Sequence, residues 1–254
     1  MTIAGSDPSG GAGIQADLKT FTNLRCYGQA VITALTVQNT LGVHRSVAVN
    51  ADLVYDQIEA VMQDFKPDAV KIGMLPNADT IKRVAEAIRA FRPSFVVLDP
   101  VMVSSSGLKL MEDIAVEVLC EHLIPLCTLI TPNLPESKVL TRIETNDSAV
   151  LAKTMGDIYQ GVAILVKGGH REGRPVDVLY NKGKIKIYDN APRIETRNTH
   201  GTGCVLSSAI AAFVARGNSL PEAVGQAKAY LTDALQKGAS YEAGAGHGPM
   251  YLLS

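Results

Sequence analysis

The chain has 254 residues, of which 46% are hydrophobic and 19% charged, and a formal net charge of −1. That length and apolar content suit a single globular domain over residues 1–254, and the near-neutral balance gives no general attraction for nucleic acid or an anionic membrane. No apolar run approaches the ~18 residues of a membrane span, and Met1–Gly5 lacks the basic and apolar regions of a secretion signal. The sequence therefore reads as a soluble, cytoplasmic protein that handles a small molecule.

A first strand, expected near 1–4, runs into the loop Gly5-Ser6-Asp7-Pro8-Ser9-Gly10-Gly11-Ala12-Gly13, and a helix follows near 14–25. Gly11-Ala12-Gly13-Ile14-Gln15-Ala16 matches the G-x-G-x-x-G/A pattern of dinucleotide-binding folds. That pattern needs a carboxylate about 20 residues further on to hold the ribose hydroxyls. The next strand, near 29–37, has none and ends at Gln38, which argues against nicotinamide or flavin. Asp17, about one turn into the helix, can be read simply as complementing the helix dipole.

Further along, helices near 52–65, 78–91, 112–123 and 147–160 alternate with strands near 69–73, 95–99, 127–131 and 162–167. Runs such as Phe95-Val96-Val97-Leu98 are apolar throughout, as strands buried on both faces should be. Val176–Tyr180 and Ile185–Tyr188 flank Asn181-Lys182-Gly183-Lys184 and read as a hairpin. Helices near 203–216 and 220–238 complete the chain. This rhythm predicts an α/β fold with a mostly parallel sheet covered by helices on both faces.

In such sheets ligands bind outside the carboxyl ends of the strands. The residues just past those ends are Gly5-Ser6-Asp7, Gln38-Asn39-Thr40, Gly73-Met74, Asp99-Pro100, Thr131-Pro132-Asn133 and Lys167-Gly168-Gly169. Taken singly, several have plain explanations. Asp99-Pro100 is a turn signal, Asn133 and Glu136 form a capping-box pair, and Lys167 is the sort of lysine that extends its charge to solvent. Taken together, Asp99, Asn133, Glu136 and Lys167 form a set able to hold polyphosphate oxygens and Mg²⁺, the metal through waters at Asp99 and Glu136. Gly168–Gly173 has Walker-like glycine spacing but continues Arg174-Pro175, so it is not a P-loop.

The most informative run is Asn198-Thr199-His200-Gly201-Thr202-Gly203-Cys204, immediately ahead of the apolar helix pattern Val205–Val214. Glycines at a helix start turn N–H groups toward an anion, so Gly201, Thr202, Gly203 and Cys204 read as an oxyanion or phosphate cradle. A thiol in that field is expected to have a lowered pKa, which makes Cys204 a candidate base. The other cysteines, Cys26, Cys120 and Cys127, form no C-x-x-C pair and read as core filler. His170 and His200 are given no chemical role, because a histidine beside glycine in a loop is usually a surface residue.

These residues carry a resemblance. Thr2–Asp17, Lys71-Ile72-Gly73-Met74-Leu75, Thr131-Pro132-Asn133-Leu134-Pro135-Glu136 and Asn198–Cys204 together resemble the hydroxymethylpyrimidine/phosphomethylpyrimidine kinases of thiamine biosynthesis, in the ribokinase-like superfamily. The resemblance implies a three-layer α/β/α sandwich and two successive ATP-dependent phosphorylations of 4-amino-5-hydroxymethyl-2-methylpyrimidine. It implies a pyrimidine pocket of Gly5, Asp17, Gln38 and Met74, with Asp99, Asn133 and Glu136 in the Mg²⁺ and phosphate network and Lys167 on the ATP side. It further implies that Gly201–Cys204 stabilise the transferring phosphoryl group, with Cys204 standing where many relatives carry an aspartate base. A homodimer and a monovalent-cation requirement are also compatible with it.

The chain departs from the family pattern in three places: Met1 begins inside the first strand where relatives carry a longer lead, Val205 stands where threonine is common, and Ser104-Ser105-Ser106-Gly107 lacks a basic residue. Pyridoxal kinase on the same fold and a non-catalytic pyrimidine binder are the alternative readings.

Overall fold

The protein is described by a computed structural model over residues 1–104, 107–108, 110–169 and 173–252. His170, Ser105 and Ser106, noted in the sequence, lie outside the described residues. The described residues form one sheet of nine strands: β1 (Thr2–Ser6), β2 (Ala30–Asn39), β3 (Gly42–Ala48), β4 (Val70–Ile72), β5 (Val96–Leu98), β6 (Leu129–Ile130), β7 (Ala163–Val166), β8 (Asp177–Asn181) and β9 (Lys184–Tyr188). Their order across the sheet is β3-β2-β1-β4-β5-β6-β7-β8-β9. β2, β1, β4, β5, β6 and β7 run parallel, and antiparallel pairs β2–β3, β7–β8 and β8–β9 finish the two edges.

Strand side chains alternate between two apolar layers. Val96, Leu98, Ile130, Ile164 and Val166 pack on one face against α2 (Ala51–Asp64), α3 (Ala78–Phe91), α4 (Asp113–Val118), α5 (Leu134–Thr141) and α6 (Ser148–Ile158). Val97, Leu129, Ala163 and Leu165 pack on the other against α1 (Gly13–Asn23), α7 (Thr202–Ala215) and α8 (Leu220–Gly238). The result is the expected α/β/α sandwich. Every residue of α7 from Val205 to Phe213 is buried. A helix apolar on all sides has to be enclosed, and α7 lies against α1 and α8 with its N-terminus at the carboxyl edge of the sheet.

The expected helix 112–123 is α4 followed by a π-helical turn over Leu119–Leu123, and the strand opening at Cys127 is only Leu129–Ile130. β3 lies outside the sequence expectations, an edge strand with five exposed residues in a row, while α5 is the short helix that the Asn133–Glu136 capping pair predicts. Among the described residues no helix is long and apolar enough to cross a membrane.

Candidate active site

The sheet order reverses between β1 and β4, and a crevice opens at such a switch point. There a cavity of about 490 Å³ is lined by strand-end residues and by the start of α7. Gly5, Gln38, Met74, Asp99, Asn133, Glu136 and Lys167 all border it, as do Gly201, Thr202, Gly203 and Cys204. The parallel register explains much of the convergence: Gly5 and Gln38 lie at the ends of β1 and β2, and Met74, Asp99, Asn133 and Lys167 follow β4, β5, β6 and β7 at the same edge.

The cradle is built as its composition requires. Gly201 caps α7 with φ +84°, in the region that disfavours side chains, and a Cβ there would stand 2.0 Å from the Gly11 carbonyl oxygen. Thr202, Gly203 and Cys204 are thus the first three helical residues, whose N–H groups have no partner within the helix. A Cβ on Gly203 would lie 2.9 Å from Asp99 Oδ2 and 3.3 Å from Lys167 Nζ, so the cradle and the acidic set adjoin.

Lys167, half-buried, forms an ion pair with the buried Asp99, and Asp99 Oδ1 also accepts from the Thr131 hydroxyl at 3.1 Å. Burial disfavours the Lys167 ammonium, yet Asp99 and Glu136 outweigh it and raise its pKa. Asn133 and Glu136 form the anticipated capping box on α5: Glu136 N–H donates to Asn133 Oδ1 at 2.9 Å, and Asn133 N–H donates to Glu136 Oε2 at 2.8 Å. The cap therefore also fixes the Glu136 carboxylate in the cavity wall. Burial pushes that carboxyl up to about 7; Lys167 opposes the rise and Asp99 adds to it.

Among the described residues no group of three His, Cys, Asp or Glu side chains is arranged to hold a metal ion. The Asp99 and Glu136 carboxyls are nonetheless hard oxygen donors beside a single ammonium, and once Glu136 is ionised that set suits Mg²⁺ held through its own waters.

Elsewhere in the cavity lining, Gly5 and Met74 adjoin, since a Cβ on Gly5 would meet Met74 Sδ at 3.2 Å. Gln38 sits on β2 opposite Val43 of β3, and both border the cavity. One end of the Gln38 amide lies 3.0 Å from His200 Nε2 and the other 3.2 Å from Thr36 Oγ1.

Two expectations require correction. Asp17 does not line the cavity: it is fully buried, paired with Lys71 at 2.8 Å, and accepts from Ser208 at 2.7 Å and Thr2 at 2.6 Å. Its position on the inner face of α1 directs it to the sheet, where the lysine of β4 requires a counter-charge. Cys204 does not have a lowered pKa: burial pushes the thiol up, and Asp17 and Asp99 add to this against Lys71 and a hydrogen bond at Gly13. Desolvation, which a helix terminus does not reveal in the sequence, prevails here over the favourable field.

Three residues that tie the site's elements together escape a reading of the sequence. Asp7 and His200 meet at 2.8 Å, both buried, and tie the loop after β1 to the cradle. Asp7 belongs to the strand-end set but carries no pattern of its own, and the glycine beside His200 suggests only a surface loop. Lys71 lies within one of the family-like segments, and its only signal is a charge inside an otherwise apolar strand.

The phosphomethylpyrimidine kinase family model matches residues 7–251. The chain belongs to that family. The hydroxymethylpyrimidine/phosphomethylpyrimidine kinase of Rhizobium meliloti is 48% identical, over 99% of this chain and 95% of its own length. A crystal structure of phosphomethylpyrimidine kinase from Clostridium difficile superposes with a TM-score of 0.81 at 43% identity, covering 92% of this chain and 97% of that one. A pyridoxal kinase from Staphylococcus aureus in complex with AMP-PCP has a TM-score of 0.88 at 32% identity, covering 99% of this chain and 92% of that one. The fold is accordingly ribokinase-like.

Proposed function

We propose that this chain phosphorylates the hydroxymethyl group of 4-amino-5-hydroxymethyl-2-methylpyrimidine from ATP, and then converts the monophosphate to the diphosphate. It would do so in the cytoplasm, within thiamine biosynthesis, as one kinase domain spanning 1–254. One observation carries the reading: the start of α7 borders a cavity that Gln38, Met74, Asp99, Glu136 and Lys167 also line. Membership of the family, at 48% identity to a relative that bears this name, supports it.

In this reading Gly5 and Met74 contact the pyrimidine ring and Gln38 hydrogen-bonds its edge, where an amide matches an amino group and ring nitrogen with one acceptor and one donor. Lys167 and Asn133 lie toward the nucleotide phosphates. Asp99 and Glu136 would hold Mg²⁺ through its waters, and the ion would neutralise polyphosphate charge. The acceptor oxygen attacks the γ-phosphorus, the bond to the β-phosphate oxygen breaks, and the acceptor proton passes to Cys204 Sγ. The N–H groups of Gly201–Cys204 meet the charge on the moving group, which is the dominant contribution in such transfers. Asp17 supports this site from beneath and does not touch the ring.

Purified protein with ATP, Mg²⁺ and the aminopyrimidine alcohol should yield monophosphate first and diphosphate later; absence of both across Mg²⁺ concentrations would defeat the reading. The likeness to pyridoxal kinases favours one second reading, pyridoxal as acceptor. Side-by-side kcat/KM for the two alcohols discriminates, and the pyrimidine is expected to win. A homodimer also fits, because Leu35, Val37 and Val47 are exposed on β2 and β3.

A further inference from the structure

We infer that His200, held by Asp7, is a positioning residue that fixes the Gln38 amide in one orientation and so sets which pyrimidine edge the cavity accepts. The inference rests on the pyrimidine reading given above, and it begins from a conflict of hydrogen-bond roles.

Asp7 is 3% exposed and accepts from Ser9 N–H at 2.9 Å, Ser9 Oγ at 2.7 Å and Ala12 N–H at 2.9 Å. Burial tends to raise its pKa, but the hydrogen bonds from His200 and Ser9 prevail and hold the carboxyl below its ordinary range. An ionised carboxylate only accepts. His200 Nε2, 2.8 Å from Asp7 Oδ2, must therefore carry a hydrogen. An amide nitrogen also only donates, so Gln38 Nε2 cannot face that N–H at 3.0 Å; the amide oxygen must occupy the position.

The far end of the amide demands the same turn, independently. Thr36 has one hydroxyl hydrogen, and it goes to the Ser6 carbonyl oxygen at 2.9 Å. The Gln38 atom 3.2 Å from Thr36 Oγ1 must then be a donor, which is the amide nitrogen. With the amide oxygen toward His200, the single Nε2 hydrogen is shared between Asp7 and Gln38 in a three-centre bond, and the amide nitrogen donates to Thr36. The reverse orientation would set donor against donor at His200 and acceptor against acceptor at Thr36. In the orientation so fixed, each amide atom keeps one site free for ligand. The chain Ser9–Asp7–His200–Gln38–Thr36–Ser6 thus locks a fixed order of acceptor and donor at the cavity wall.

A 4-aminopyrimidine and its 4-oxo analogue present opposite orders, amino donor with ring-nitrogen acceptor against carbonyl acceptor with ring N–H donor. A locked amide discriminates between them, whereas a free amide turns to suit either. The test compares kcat/KM for 5-hydroxymethyl-2-methylpyrimidine alcohols bearing 4-amino or 4-oxo groups, in wild type, His200→Leu and His200→Gln. The amino-to-oxo ratio is expected to fall at least about tenfold in His200→Leu and to be restored in His200→Gln, whose amide nitrogen can donate to both Asp7 and Gln38. A merely structural histidine would lower both rates and leave the ratio unchanged, and an unchanged ratio overturns the proposal.

Nitrogen-15 spectra of wild-type protein labelled at histidine give a second readout that needs no variant to fold. His200 Nε2 should appear protonated, and an unprotonated Nε2 overturns the proposal. Should wild type phosphorylate neither pyrimidine, the substrate reading fails, and the spectrum then tests the premise that Nε2 carries the hydrogen, on which the Gln38 orientation rests.

Discussion

Gly201 and Gly11 touch backbone to backbone, leaving only 2.0 Å between the Gly11 oxygen and the place a Cβ on Gly201 would take. This contact seats the loop after β1 against the phosphate cradle, and φ of +84° at Gly201 allows it. Gly201→Ala is expected to lower kcat/KM at least about 100-fold, the scale of losing a preorganised oxyanion donor. It should also lose about 1–2 kcal/mol of stability from the left-handed backbone alone. Steady-state kinetics with denaturant unfolding measure both, and wild-type values would contradict the cradle geometry.

Gly203→Ala separates activity from stability. The residue is helical, so alanine should add roughly 0.5–1 kcal/mol from backbone entropy. The added methyl would press on Asp99 at 2.9 Å, and whether the pair yields decides how much of that gain survives. The expected variant melts within a few degrees of wild type while kcat drops at least about tenfold. Full activity would mean that the Asp99–Lys167 pair lies outside the reaction.

Lys71→Met leaves Asp17 buried without its cation, which should cost about 3–5 kcal/mol in urea unfolding. Adding Asp17→Leu should recover much of that loss, since an apolar pair replaces an ion pair at little cost. If the single and double variants are equally unstable, the pairing at 2.8 Å is not what supports this layer.

Asp7 titrates lower in the folded protein than in the unfolded chain. A depressed acid contributes stability that is complete above the unfolded value, near pH ~4, and is lost as pH falls through the folded value. Asp7→Asn should therefore flatten the acid limb of the stability profile below about pH 4, measured by urea midpoints at successive pH values. An acid limb as steep as that of wild type would show that the carboxylate is not held by His200 and Ser9.

Strongly periodic elements are legible from the residues alone. The helix expected near 203–216 is Thr202–Ala215, and the parallel strands fall where apolar runs predict them. β3 is invisible because its exposed residues mix polar and apolar with neither periodicity, whereas α5, too short at eight residues for a pattern, shows only through its Asn133–Glu136 cap. The strand-end rule finds most of the site, since topology alone brings Asp99, Asn133 and Lys167 to one edge. It does not reach pairings set by tertiary packing: Asp17 meets Lys71 across 54 positions, and Asp7 meets His200 across 193. The Cys204 thiol is illegible for the same reason, because its desolvation comes from elements remote in sequence.

The central claim is that residues 201–204 grip the moving phosphoryl group while Cys204 receives the acceptor proton. Burial keeps the Cys204 pKa above its ordinary value, so the base form is scarce near neutrality and the rate should climb with pH into the alkaline range. Single-turnover transfer measured across pH, alongside ATP affinity, tests this most directly. Cys204→Ala should lower the transfer rate at least about 100-fold and abolish its alkaline rise, with ATP affinity within about twofold of wild type. A variant that transfers phosphate at the wild-type rate with the same pH profile would contradict the account.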